Sequence, residues 1–251
     1  MKYKLLALAF VIVTVPAWAE TTTSLRAGFD FSSGKYGGTN ATNILYIPVT
    51  GKVQFESLYL KLTVPYIRVS SAGTGVVRGM GKVRTTTSTT TTTQSGLGDV
   101  IFSAGYTFFE DDKLALDLVG NVKFGTADPD KDLGTGKNDY SAQIDGFYTM
   151  KATSLFATAG YKIIGAPTGV VVNNIVYGTF GVSQKLSDAT SAGLALDAAQ
   201  GSSELSTGTR EVSVFVSNKI SKTKKIQASV MKGFSDGSPD FGFGLSVTGT
   251  F

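Results

Sequence analysis

The sequence predicts an all-β fold, a transmembrane antiparallel up-and-down β-barrel of about 12 strands. Three observations carry this: a two-faced C-terminal segment, period-two alternation throughout the chain, and connections that alternate short and long. In the C-terminal segment, Phe241, Phe243, Leu245, Val247 and Phe251 share one parity, and Gly249 is the only gap in that row. The other parity holds only Gly, Ser and Thr. Period-two alternation makes a strand with two unlike faces. A closing strand that is apolar on one face and ends in Phe fits a barrel with lipid outside and a wet lumen inside.

The N-terminus points to export. Lys2 and Lys4 precede an apolar run from Leu5 to Val15, and Ala17-Trp18-Ala19 supplies an Ala-x-Ala cleavage site before Glu20. The run is about half the ~20 residues that a spanning helix needs. Residues 1–19 are therefore expected to be a signal peptide and 20–251 the barrel domain. Glycine is abundant at 30 residues and proline scarce at 6, alongside many Thr, Ser, Val, Tyr and Phe, which is β composition.

Cysteine and histidine are both absent. The chain therefore has no disulfide framework, thiolate, Ser-His-Asp triad or His-ligated zinc. No catalytic residue, metal or cofactor is expected, and an enzyme is disfavoured. The net charge of +4 falls to about +2 once Lys2 and Lys4 leave with the leader. Its basic residues are dispersed, so nucleic acid is not an expected partner.

The alternation recurs along the chain. Leu25, Ala27, Phe29 and Phe31 oppose Arg26 and Asp30, and Leu45, Ile47 and Val49 follow. Leu58, Leu60, Leu62, Val64 and Tyr66 alternate with Tyr59, Lys61 and Thr63. Val100, Phe102, Ala104, Tyr106 and Phe108 oppose Asp99, Ser103 and Thr107. Leu114, Leu116, Leu118, Val122 and Phe124 oppose Asp117, Asn121 and Lys123.

The second half repeats the scheme. Tyr140, Ala142, Ile144 and Tyr148 oppose Ser141, Gln143 and Asp145. Leu155, Ala157, Ala159, Tyr161 and Ile163 oppose Thr158 and Lys162. Val176, Phe180 and Val182 oppose Thr179, Ser183 and Lys185, and Leu194 and Leu196 oppose Asp197. Val212, Val214 and Val216 oppose Glu211, Ser213 and Ser217, and Ile226, Ala228, Val230 and Phe234 oppose Gln227 and Ser229.

Tight turns are expected at Glu110–Lys113, Met150–Thr153, Ser187–Thr190 and Ile220–Lys224, on the periplasmic side. Longer extracellular loops are expected at Ser32–Thr42, Ser70–Ser95, Ala127–Asn138, Pro167–Asn173 and Gln200–Gly208. This asymmetry belongs to outer-membrane barrels, and an even strand count leaves both termini on one side.

A soluble β-sandwich or lipocalin-like barrel also alternates, but its apolar face must form the interior. Here the face opposite the apolar one carries charge on strand after strand. The expected lumen lining is Arg26, Asp30, Lys61, Asp99, Asp117, Asn121, Lys123, Asp145, Lys162, Asp197 and Glu211. Tyr66, Tyr106, Tyr140, Tyr148 and Tyr161 fall on the lipid parity, several near strand ends, as an aromatic girdle requires. Twelve strands at ~4.8 Å spacing and ~40° tilt give a backbone radius of about 12 Å, leaving a narrow channel or a filled barrel with a pocket.

Ser70–Ser95 contains Thr85–Thr87 and Thr89–Thr93 and reads as a solvated low-complexity loop rather than a lid. Gly73-x-Gly75 and Gly79-x-Gly81 lack the βαβ context of a phosphate cradle. Asp128, Asp130 and Asp132 alternate, but no following Glu completes a Ca²⁺ loop, so an acidic solvated turn is expected.

One order of motifs recurs as a set: Ser95-Gly96-Leu97-Gly98-Asp99 opening a strand, then Lys123-Phe124-Gly125-Thr126-Ala127-Asp128, then Leu133-Gly134-Thr135-Gly136 with Asp139. This set resembles the outer-membrane transporter family named for the meta-pathway of phenol degradation. In that family a Gly-Leu-Gly-Asp strand precedes a Lys-x-Pro-Thr-Gly-Asp strand end and a Leu-Gly-Thr-Gly loop. This sequence carries Gly125 where the family often has Pro, and Ala127 where it often has Gly. The resemblance is strongest over Ser95–Asp139 and extends over the mature chain. It implies a β-barrel that moves small aromatic or hydrophobic compounds.

The sequence thus leads to a porin-like barrel in the outer membrane of a Gram-negative cell, acting as a passive channel for small solutes in uptake or efflux. The alternative is a closed barrel whose extracellular loops make it a structural or surface-binding protein. Expected partners are outer-membrane lipid, the barrel-assembly machinery through the Phe251 strand, and a small-molecule solute. Pro48 and Pro65 hint at a kink for lateral opening, with nothing in the sequence to decide it.

Overall fold

The computed structural model describes residues 21–72, 74–77, 81–85, 90–167, 171–203 and 206–251, with only the backbone at 74–77 and 81–85. The signal peptide and its cleavage site lie outside these residues. So do Gly73, Gly79, most of the Thr85–Thr91 run, and small parts of the Pro167–Asn173 and Gln200–Gly208 loops.

Period-two patterning yields fifteen strand segments: β1 (Thr21–Gly34), β2 (Thr42–Phe55), β3 (Leu58–Ser71), β4 (Thr74–Val77), β5 (Gly81–Thr85), β6 (Thr92–Leu97), β7 (Val100–Glu110), β8 (Leu114–Phe124), β9 (Asp139–Met150), β10 (Thr153–Ile163), β11 (Ile175–Lys185), β12 (Thr190–Ala199), β13 (Thr209–Lys219), β14 (Lys224–Gly233) and β15 (Phe241–Thr250). β4 and β5 form a separate hairpin. β6 and β7 both pair with β3 and together make one barrel strand, so the barrel is a closed antiparallel sheet of 12 strands. Closure runs through β1 and β15, in register from Ser24↔Thr250 to Ser33↔Phe241. Because every strand has two partners, no backbone donor row faces lipid unpaired.

The lipid parity behaves as a belt. Leu62, Tyr106, Ile144, Phe180, Val230 and Phe243 all project to the outside and are exposed. Tyr66, Tyr140 and Tyr161 lie near the loop ends of their strands and Tyr106 and Tyr148 near the turn ends, giving two aromatic bands. Phe29, Phe31, Phe241 and Phe243 pack across the closure seam, with Phe31 and Phe243 centroids 5.2 Å apart.

The tight turns fall where the pattern places them, with one more at Glu56–Ser57. Glu56 and Lys151 take left-handed φ of 39° and 53°, matching the twist of their hairpins. A sixth loop, 234–240, joins β14 to β15.

Two expectations change. Ser95 does not open a strand: β6 already starts at Thr92, so part of the threonine run is paired with β3 through Thr92↔Ser71 and Thr93↔Ser70. The interruption comes later, at Gly98–Asp99, and Pro65 explains it. Proline has no N–H to donate to the ladder, and β3 loses its register with the neighbouring strand there. Only the Gly98 N–H reaches across, to the Pro65 carbonyl at 2.8 Å. A Cβ at position 98 would sit 2.9 Å from the Pro65 ring. On the other side of β3, Pro48 and Pro65 face each other in register, flanked by a 2.9 Å Thr50–Thr63 hydroxyl bond. The β2–β3 seam is therefore continuous in register past both prolines.

Inside, four aromatic rings lie flat over inward glycines: Tyr59 over Gly105, Tyr177 over Gly160, Phe156 over Gly181 and Phe215 over Gly193. A side chain at Gly105 would collide with the Tyr59 ring, whereas Gly120 on the lipid face has open space. We expect Gly105→Val to cost about 1–3 kcal/mol through overpacking and to lower the temperature at which the barrel loses its compact migration in SDS gels. Gly120→Val should leave that temperature unchanged; equal behaviour of the two variants would refute the ring-on-glycine packing.

Candidate functional site: the barrel lumen

The extracellular half of the lumen is partly filled by the chain's own loop between β8 and β9. The break at Gly98–Asp99 frees the groups that hold it. The Thr126 hydroxyl donates to the Gly98 carbonyl at 2.9 Å and accepts the Val100 N–H at 3.0 Å. The Ala127 N–H donates to Asp99 Oδ1 at 3.0 Å. Lys123 Nζ bridges Asp99 at 2.7 Å and Asp139 at 3.1 Å, and Asp139 also accepts the Gly165 N–H at 3.0 Å.

Turned inward this way, Ala127 and Leu133 pack with Tyr36, Ile44, Tyr46, Ile67 and Val69 in one apolar cluster. Burial of Leu133 alone is worth roughly 2 kcal/mol. Glycine is required because the loop runs so close: a Cβ at Gly134 would meet Ala127 at 2.6 Å and Asp99 at 3.0 Å. The expected solvated loop Ala127–Asn138 is thus in large part an inward-folded wall segment.

The solvated part of that loop is a 3-10 turn, Pro129–Lys131, capped by Asp128. A hydrogen bond from Lys131 holds the Asp128 carboxyl below its ordinary range, helped by the Asp130 N–H. Among the described residues no group of three or more metal-ligating side chains converges here or elsewhere.

The remaining charges divide by strand. On β7 to β13 a register row reads Thr107, Asp117, Asp145, Thr158, Thr179, Asp197, Glu211, each directly across from the next. Threonine hydroxyls donate to the acids: Thr107 to Asp117 at 2.7 Å, Thr158 to Asp145 at 2.6 Å and Thr179 to Asp197 at 2.6 Å. Gln143 chelates Asp145 at 2.8 and 2.9 Å, accepts from the Tyr177 hydroxyl at 2.8 Å, and lies beside Asn121. On β1 to β3 the lumen parity carries Arg26, Lys52 and Lys61, with Lys52 and Lys61 directly opposite each other and the Lys52 ammonium 4.2 Å from the Tyr59 ring.

Between the two arcs, toward the extracellular end, is a cavity of about 470 Å³. Asp30, Lys162, Asp197, Glu211, Tyr46 and Tyr177 line it, with Gln200, Ser202 and Pro239 at its rim. The Asp30 carboxylate lies over Gly244, and the Lys162 ammonium sits 5.6 Å from the Tyr177 ring.

All eleven sequence-nominated residues fall on the lumen parity, but the structure sorts them into three groups. Asp99 and Lys123 are spent on holding the loop, together with Asp139. Asp30, Lys162, Asp197 and Glu211 surround the cavity. Arg26, Lys61, Asp117, Asn121 and Asp145 line the wall below it. The sequence reading put Tyr59 on the lumen parity without naming it a lining residue, and passed over Lys52, Tyr46, Tyr177, Phe156 and Phe215. Continuing the period-two count past Gly51 finds Lys52. No local signal marks the rings, whose glycine partners lie on neighbouring strands.

The model of the family described as "Putative MetA-pathway of phenol degradation" matches residues 22–251. The chain belongs to this family. Comparison with curated proteins yields no match. Among solved structures, the COG4313 outer membrane channel from Pseudomonas putida F1 is similar at 14% identity and a TM-score of 0.67, covering 95% of this chain and 97% of that one. The KdgM porin superposes at 11% identity and TM-score 0.57, covering 91% and 99%, and the NanC porin at 10% and 0.56, covering 90% and 98%. These likenesses establish the outer-membrane barrel fold. The family motif also has a structural meaning here, since Gly98, Asp99, Lys123, Thr126, Leu133, Gly134 and Asp139 are the residues that fold the loop inward.

Lys123→Met would leave Asp99 and Asp139 facing each other without a counter-charge. We expect it to destabilise the barrel by about 3 kcal/mol and to open the 127–137 loop to limited proteolysis. Gly134→Val should expose the same peptide bonds, and resistance of both variants would refute the loop lock.

Proposed function

We propose that the chain forms a passive channel in the outer membrane for small solutes, and that aromatic or otherwise hydrophobic compounds are among its cargo. The observation that carries this reading is the 470 Å³ lumen cavity, bounded by charged side chains and by the faces of Tyr46 and Tyr177. Its volume falls in the range of sites for single-ring ligands. Aromatic faces and fixed charges together give a wall along which such a solute exchanges water for contacts of similar strength, as conduction requires. Family membership and similarity to barrels described as channels and porins support the same reading. The exposed Phe and Leu rows take lipid, and the strand ending at Phe251 is offered to the assembly machinery.

A second reading, a closed barrel working through its loops, draws on the inward-folded Ala127–Gly136 segment. Planar-bilayer recording separates the two. Folded wild-type protein is expected to give discrete single-channel currents, and liposomes containing it should swell in single-ring aromatic acids as well as small sugars. Absence of both current and swelling would favour the closed barrel.

A further inference from the structure

The two arcs of lumen charge are kept apart, although the same barrel elsewhere neutralises such charges at close range. Lys123 sits 2.7 and 3.1 Å from its two carboxylates. By contrast, no described carboxylate lies within ion-pair distance of Arg26, Lys52 or Lys61. Three cations crowd one arc: Lys52 and Lys61 are directly opposite each other on β2 and β3, and Arg26 on β1 pairs with Thr50, two residues from Lys52. Beyond the intervening β7, Asp117 and Asp145 are a direct cross-strand pair of like charges, a placement that weakens a sheet unless something else holds it. Thr107, Thr158 and Gln143 do so, each donating to a carboxylate oxygen.

The arcs occupy neighbouring stretches of the wall, with only β7 between β3 and β8. Tyr59 lies on the wall between them, its ring against Gly105 of β7 and 4.2 Å from the Lys52 ammonium. In a narrow lumen with low-dielectric walls, separated opposite charges set up a transverse field that focuses on whatever passes.

We propose that Arg26, Lys52 and Lys61 on one side of β7 and Asp117 and Asp145 on the other form a transverse charge filter that favours solutes bearing both a cationic and an anionic group over singly charged ones of similar size. A zwitterion turned across the bore places its anionic end toward β1–β3 and its cationic end toward β8–β9, meeting attraction at both. A monovalent ion meets attraction on one side and repulsion on the other. The inference rests on the channel reading and names the substrate class for it.

The test uses the full mature chain, folded in detergent and checked by its heat-modifiable migration. Recordings in a KCl gradient are expected to show weak ion selectivity for the wild type. Lys52→Gln with Lys61→Gln should raise the K⁺/Cl⁻ permeability ratio by about threefold, and Asp117→Asn with Asp145→Asn should lower it by about as much. Each double variant should also slow liposome swelling in γ-aminobutyrate relative to erythritol, while Lys222→Gln in a periplasmic turn changes neither readout. Currents whose selectivity and relative swelling rates are the same in all variants would overturn the filter and leave the channel standing. Folded protein with no current and no swelling would overturn both.

Discussion

A sheet that crosses lipid must leave no backbone donor or acceptor unpaired, and the seam between β1 and β15 is where this chain meets that demand. Closure sorts the side chains. Once both edges are joined, each strand has one parity against acyl chains and one against the lumen, and the period-two sequence pattern becomes a division between lipid and water. The seam is also where the lipid face is most aromatic, with Phe29 and Phe31 set against Phe241 and Phe243. The residues that end the chain thus supply both the last ladder bonds and a large share of the apolar contact across the join.

The gap in the ladder at Pro65 has large consequences. Pro65 cannot donate, so its neighbouring strand breaks at Gly98–Asp99. The break would be costly on a lipid-facing carbonyl, but here the freed Gly98 carbonyl and Asp99 carboxylate are taken up by Thr126 and Ala127. A backbone defect in one strand is thereby converted into the attachment point of a loop two strands on. Lys123 then makes the attachment firm by bridging two carboxylates that would otherwise repel. The inward-facing Ile44, Ile67 and Val69 follow from the same arrangement, because apolar residues on a lumen parity need a covering segment and Leu133 provides it.

This explains which parts of the molecule were legible in the sequence. Leu58, Leu60 and Leu62, or Val212, Val214 and Val216, read clearly because lipid tolerates little else at those positions. Strand number and the positions of the tight turns followed from the same pattern. The inner face carries no such uniform demand: Arg26, Tyr59, Ile67 and Phe156 all lie there, each satisfied by a partner on another strand. Ile44 and Val69 were therefore invisible as interior residues, and the Ser95–Gly98 motif, recognisable as a motif, was misplaced at a strand start. Its role depends on Pro65, some thirty residues earlier and one strand away.

The contrast between the two sets of lumen charges bears on what the barrel is built to tolerate. Ion pairs such as Lys123 with Asp99 and Asp139 hold structure because both charges are compensated at short range. Asp117 beside Asp145, and Lys52 beside Lys61, gain nothing of this kind and add like-charge repulsion within the sheet. Water in the bore screens part of that repulsion, and the threonine and glutamine donors offset more. Neutral residues at these four positions would fold at least as well. On the proposed channel reading these charges act on a solute in the bore, whereas the paired ones act on the loop they hold.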